Sequence, residues 1–248
     1  MNNKKFIPKV VFKQMPLEPE AEMISGLLDW DWSDKITGKY PPFLEIKKIK
    51  SKKKKDEAMK NEIIKIRQEL GQKMDEGLLK VKSDWQKVEA QTLKALSEII
   101  QVDYPKKEIT AYISINPICP RHLDDWWFSV PPDHDNPNKV FAHEISHFLF
   151  FKKLKEEFPE IKRKNYESPH KEWILSEIIA VIILNDKRIT DVLDTYNNGY
   201  YPKHRELKID GKSVTETLEK LYDKYVVQEN NFQEFIKKGL VVVKDLKL

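Results

Sequence analysis

The stretch Asn136-Pro137-Asn138-Lys139-Val140-Phe141-Ala142-His143-Glu144-Ile145-Ser146-His147-Phe148-Leu149-Phe150-Phe151 decides how the rest of the chain is read. Asn before Pro is a helix-start signal, because Asn caps free backbone amides and Pro fits the first helical position. Phe141, Ile145, Phe148 and Leu149 then recur at helical spacing and form an apolar face. A helix is predicted from near Pro137 to about Phe158, just before Pro159. His143 and His147 are four positions apart, so they share one face and both imidazoles reach a single ion. Glu144 follows the first of them and is placed to take a proton from water at that ion.

A catalytic zinc needs a third protein ligand and an open fourth position. The longer pattern His-Glu-x-x-His-x-x-Gly-x-x-His does not continue here, since Phe150 and Lys153 stand where Gly and the third His would be. Helix geometry selects another donor. From His147 to Phe158 the helix runs roughly 16 Å. Ser168-Pro169 repeats the cap-then-Pro signal, and an antiparallel return places a residue about nine or ten positions in beside His147. Glu177 meets that condition, about 13 Å along. Glu172 stops short, Asp186 overshoots and His170 is worse than either. Glu177 is also the single carboxylate among Trp173, Ile174, Leu175, Ile178, Ile179, Val181 and Ile182, and a buried carboxylate needs a partner such as a metal ion. Ala180, one turn on, leaves room for close helix approach.

His143-Glu144-x-x-His147 followed by a helix bearing Glu177 resembles the gluzincin branch of zinc metallopeptidases, the thermolysin-like and aminopeptidase-like families. The likeness covers roughly 109–186. It implies one Zn2+ per chain on the two histidines and the glutamate, with the motif glutamate as general base. It also implies an edge strand before the motif that binds the substrate backbone, a role that falls to Tyr112, Ile113 and Ser114. Two departures stand out. Val181 occupies the place of the Asp that orients a histidine in thermolysin-like members. The Gly-Ala-Met-Glu-Asn segment of aminopeptidases is missing, which speaks against amino-terminus trimming. The Glu-x-x-Ala helix also resembles that of small phage-repressor-cleaving peptidases. Such peptidases usually carry a donor for the oxyanion. The segment from Tyr196 to His204, which includes Asn197 and Asn198, offers His204, Tyr200 and Tyr201 in no fixed order.

Other candidates have plainer readings. His134 between Asp133 and Asp135 reads as a solvated loop residue, and Trp126-Trp127 as one core and one surface ring. Cys119, the one cysteine, has no cue for nucleophilic chemistry and reads as packing. A single cysteine also excludes an internal disulfide framework and a Cys-rich metal cluster, which leaves a nitrogen and oxygen shell suited to catalytic zinc.

Outward from this core, the fold class is α+β and predominantly helical. Gly is scarce, 7 residues in 248, against roughly 17 at average usage, so few reversals are built on it. The first fifty residues, with Pro8, Pro16, Pro19, Pro41 and Pro42, read as extended segments and one short helix at about 20–28. A long helix is predicted from Lys53 to about Val81, with Ser83 capping a second. Together they form a supporting helical hairpin. Ile109–Ile115 reads as a strand and Trp126–Val130 as a second, antiparallel one, giving a small antiparallel sheet beside the two zinc helices. The region from 213 to 238 reads as two more helices and Leu240–Val243 as a closing strand. The change of texture at Pro105 divides the chain into 1–104 and 105–248.

Composition bounds the partners. Lys and Arg total 44 and Asp and Glu 40, a near balance that argues for no polyanion partner. The dense lysine run at 47–55 reads as the solvated start of a helix, not a nucleic-acid patch. The longest apolar run, Ile178–Leu184, is far short of a membrane span, and Met1–Phe12 has no signal-peptide core. The expectation is a cytoplasmic zinc peptidase acting on a peptide or protein, without nucleic acid or membrane. The alternative is a catalytically silent zinc-binding regulatory or interaction protein on the same core.

Overall fold

The structure is a computed structural model that describes residues 6–30, 32–196 and 199–246. The described chain is α+β and mostly helical. It forms two compact units, each drawing on both sides of position 104: one takes Lys9–Lys87 and Glu108–Val140, the other Met1–Pro8, Val88–Lys107 and Phe141–Leu248.

The first unit begins with strand β1 (Lys9–Gln14), then α1 (Leu17–Leu27), α2 (Ser33–Lys39) and α3 (Pro42–Lys47). Two of these, α2 and α3, lie where the prolines suggested irregular chain. Next come α4 (Lys52–Leu70) and α5 (Gln72–Gln86). The predicted long helix is broken ten residues early, at Gly71, whose φ of 47° is a left-handed conformation that side chains resist. Ser83 is therefore not a cap but lies inside α5, and the hairpin partners are α4 and α5.

Strands β2 (Glu108–Ile113), β3 (Arg121–His122) and β4 (Trp127–Val130) complete a sheet of order β1-β2-β4-β3. The expected antiparallel sheet is corrected: β1 and β4 both run parallel to β2, and the antiparallel pair is β3–β4. The reason is local. The chain reverses once between His122 and Trp126, where Trp126 takes a φ of 59°, so β4 emerges in the direction of β2. Strand β2 alternates cleanly. Ile109, Ala111 and Ile113 are buried, while Glu108, Thr110 and Tyr112 reach solvent wholly or in part. Helix α5 lies on β1 and β2. A Cβ on Gly77 of α5 would come within 2.4 Å of Pro132, so only glycine allows that approach.

The second unit holds α6 (Glu89–Ile100), α7 (Pro137–Glu157) from Phe141 onward, a 3-10 turn (Arg163–Tyr166), α8 (Lys171–Leu184) and α9 (Lys187–Leu193). After them come α10 (Pro202–Arg205), a small hairpin of β5 (Lys208–Ile209) and β6 (Lys212–Ser213), α11 (Val214–Tyr222), a π-helical turn (Asp223–Gln228) and α12 (Phe232–Val243). Helix α7 matches its predicted span. Helix α8 starts at Lys171, capped at His170, two residues beyond the expected Ser-Pro signal. Every residue from Ile174 to Leu184 is buried, so α8 is the axis of this unit, packed by α9, α11 and α12. Leu240–Val243, expected as a strand, continue α12, whose start is capped by the Asn231 side chain accepting from the Glu234 amide.

Candidate metal centre

Helices α7 and α8 bring three side chains to one point. His143 Nε2 lies 3.0 Å from His147 Nε2. Each also lies 3.6 Å from an oxygen of Glu177, His143 from Oε2 and His147 from Oε1. The three ligand atoms fit within 4.8 Å of one another. Four donors around zinc at about 2.0–2.1 Å stand about 3.3–3.4 Å apart. The His143–His147 edge is close to that value, and each ring nitrogen has a different Glu177 oxygen 3.6 Å away, so the cluster is of a size that one small cation could occupy after slight side-chain adjustment.

Burial gives the site a direction. The side chains of His147 and Glu177 are 0% and 4% exposed, whereas that of His143 is 21% exposed. The site opens on the His143 side. Glu144, the next residue along α7, is 5% exposed and so is held within the protein rather than in solvent. The His147 ring stacks on Phe151, and Phe151 stacks in turn on Tyr166. This column fixes the plane of the imidazole. The spacing of Phe151, one turn after His147, carried that signal in the sequence.

The rejected donors are engaged elsewhere. Asp186 caps α9, pairs with Arg188 at 2.7 Å and accepts the Tyr222 hydroxyl at 2.6 Å. Burial alone would raise its carboxyl, but these hydrogen bonds outweigh it and hold the group below the usual carboxylate range. Glu172 accepts from the Asn165 amide, and the His170 ring meets the Glu167 carbonyl.

Among the oxyanion candidates, His204 on α10 is buried, and its ring packs edge-on against Trp173 at 5.6 Å and Tyr201 at 5.2 Å. Burial lowers its pKa, while the nearby charge of Glu177 pulls the other way. Trp173 stands one turn before Glu177 on α8, so the two share a face, a spacing that an apolar run around it hides in the sequence. The Tyr200 hydroxyl is turned to α11, donating to Glu219 at 2.7 Å, and burial with that carboxylate pushes its pKa well up. Asn197 and Asn198 lie outside the described residues.

Tyr112 and Ile113 end β2, an interior strand paired to β1 on one side and β4 on the other, so β2 is not the edge strand that the substrate role assumes, and Ser114 lies just beyond its end. Ser114 also gives its hydroxyl to Glu20 and its amide to the Val130 carbonyl. Of the plainer candidates, Trp126 is buried and Trp127 half-buried, while His134 is half-buried with Nδ1 accepting from the Asn136 amide.

The chain matches no protein-family model, no curated protein and no solved structure.

Proposed function

We propose that the chain is a zinc-dependent peptidase built on a metallopeptidase-like core, with zinc held by His143, His147 and Glu177. The observation that supports this reading is the convergence of these three donors from two helices, with Glu144 buried beside the first of them. Two imidazoles and one carboxylate, open on one side, make a catalytic rather than a structural shell. When bound, zinc supplies Lewis-acid polarisation and lowers the pKa of water toward about 7. Glu144 accepts a proton at its carboxylate as water attacks the peptide carbonyl, then passes it to the leaving amine. His204, steadied by Trp173 and Tyr201 and close enough to feel the charge of Glu177, donates an N–H to the developing oxyanion.

The test pairs metal analysis with cleavage. The purified chain is expected to carry one zinc and to cleave members of a broad peptide library, with cleavage stopped by a chelator. Glu144→Gln is expected to keep zinc and lose cleavage. Absence of stoichiometric zinc, or cleavage untouched by Glu144→Gln, ends this reading. Zinc without any cleavage returns the function to a silent regulatory protein.

A further inference from the structure

A second feature stands apart from the metal centre. Seven lysines fall between 47 and 55, and Lys47, Lys48, Lys50, Lys52, Lys53 and Lys54 are all exposed. Elsewhere several helical lysines have an acidic partner one turn away, as in Lys80–Asp84, Lys94–Glu98, Lys152–Glu156 and Lys187–Asp191. Here only Lys48 and Lys55 have acidic partners, Glu45 and Asp29. Lys47, Lys50, Lys52, Lys53 and Lys54 have none among the described residues.

Their position also opposes the helix they begin. The first turn of α4 is Lys52-Lys53-Lys54-Lys55 with no acidic residue; α7, α9 and α10 also lack one there, but none of them begins with four lysines in a row. Positive charge at the positive end of the macrodipole is unfavourable. The cluster therefore weakens its own helix start, which a merely solvated face has no need to do.

Two large apolar side chains lie at the same end of this unit. Trp30 is 50% exposed and Leu44 is 49% exposed. Lys55 reaches Asp29, the neighbour of Trp30, and α3, which carries Leu44, packs on α4. Unpaired positive charge beside an exposed indole and an exposed aliphatic chain matches an anionic lipid surface. Lysines meet the headgroups while Trp and Leu enter the interfacial layer. Nucleic-acid recognition leans on arginine, and the first arginine of the chain is Arg67, committed to Glu20. No helix among the described residues is long and apolar enough to cross a membrane, so the association is peripheral.

We infer that the lysine cluster at 47–54, with Trp30 and Leu44, docks this protein on bilayers rich in anionic phospholipid. The full chain is mixed with phosphatidylcholine vesicles with and without phosphatidylserine, and sedimented. Binding is expected only with phosphatidylserine, falling steeply as salt rises. Lys50→Gln, Lys52→Gln, Lys53→Gln and Lys54→Gln combined should weaken it roughly a hundred-fold, at about 1 kcal/mol per lysine less screening. That variant should melt no lower than the parent, since it relieves the helix start. Trp30→Ala with Leu44→Ala should weaken binding about ten-fold while keeping its salt dependence. No binding to phosphatidylserine vesicles at low salt, or binding unchanged in the lysine variant, overturns the inference. Binding of an RNA or DNA oligonucleotide without vesicle binding overturns it in favour of a nucleic-acid surface.

Discussion

Glu20 and Glu177 are both helical glutamates with almost no exposure, 0% and 4% at the side chain, yet their surroundings differ in kind. Glu20 accepts from the Arg67 guanidinium at 2.7 Å, the Ser114 hydroxyl at 2.5 Å and the Ile115 amide at 2.9 Å. Arg67 also holds the Met15 carbonyl, so this one carboxylate ties α1, α4 and the ends of β1 and β2 together. Glu177 instead faces two imidazole nitrogens at 3.6 Å, each able to present a lone pair. One glutamate sits in a cradle of protons. The other shares a point with bases, where a cation is the natural partner. Burial alone does not separate structure from chemistry; the donor or acceptor character of the neighbours does.

The sharpest test of this contrast is Glu144→Gln, expected to cut peptide cleavage about a thousand-fold, the scale of a lost general base, with zinc content and melting unchanged. Next is Glu20→Ala. Stranding Arg67 should cost about 3 kcal/mol in urea unfolding, somewhat relieved because that arginine is partly exposed. Zinc affinity should not move. If Glu20→Ala lost zinc while Glu177→Ala only lost stability, the contrast would be inverted.

Metal removal should read slightly smaller. With free zinc at about a hundred times its dissociation constant, chelation is expected to withdraw about 2.7 kcal/mol of stability from the parent and almost nothing from Glu177→Ala. A third buried carboxylate, Asp186, belongs on the structural side. Tyr222→Phe removes one of its hydrogen bonds and should cost about 1 kcal/mol. The sign with pH follows from its lowered pKa: the contribution of Asp186 is complete above the ordinary carboxylate range and fades as pH falls toward the folded value. In Tyr222→Phe the folded pKa rises, so acid unfolding should set in at a higher pH.

The convergence of His143, His147 and Glu177 is legible in the sequence because a helix converts spacing into direction. His143 and His147 needed only a period of four, and Glu177 needed only the rise per residue and one reversal. The span of α7 was equally readable from Asn136-Pro137 and Pro159. The sheet was not. Strand direction depends on how the link between partners turns, and the reversal at Trp126 rests on a positive φ that a Trp rarely adopts. The break at Gly71 is masked in the sequence because apolar periodicity continues through Met74 and Leu78 on its far side. Nothing local in the sequence marks Glu20, since its partners lie 47 and 94 positions away.

The parallel pairing of β1 with β2 has a consequence for how the chain acquires its shape. Lys9 is matched to Glu108, so β1 leaves synthesis with no partner strand and must wait for about a hundred further residues. Closing a loop of that length costs about 4 kcal/mol of chain entropy before any pairing returns it. Local helices form in microseconds, so α1–α5 are expected to collapse first and the strand to be captured late. A fragment that stops before Glu108 should therefore be helical yet expanded, with Val10 and Phe12 open to hydrophobic dyes, and it should tighten only when 108–113 are restored.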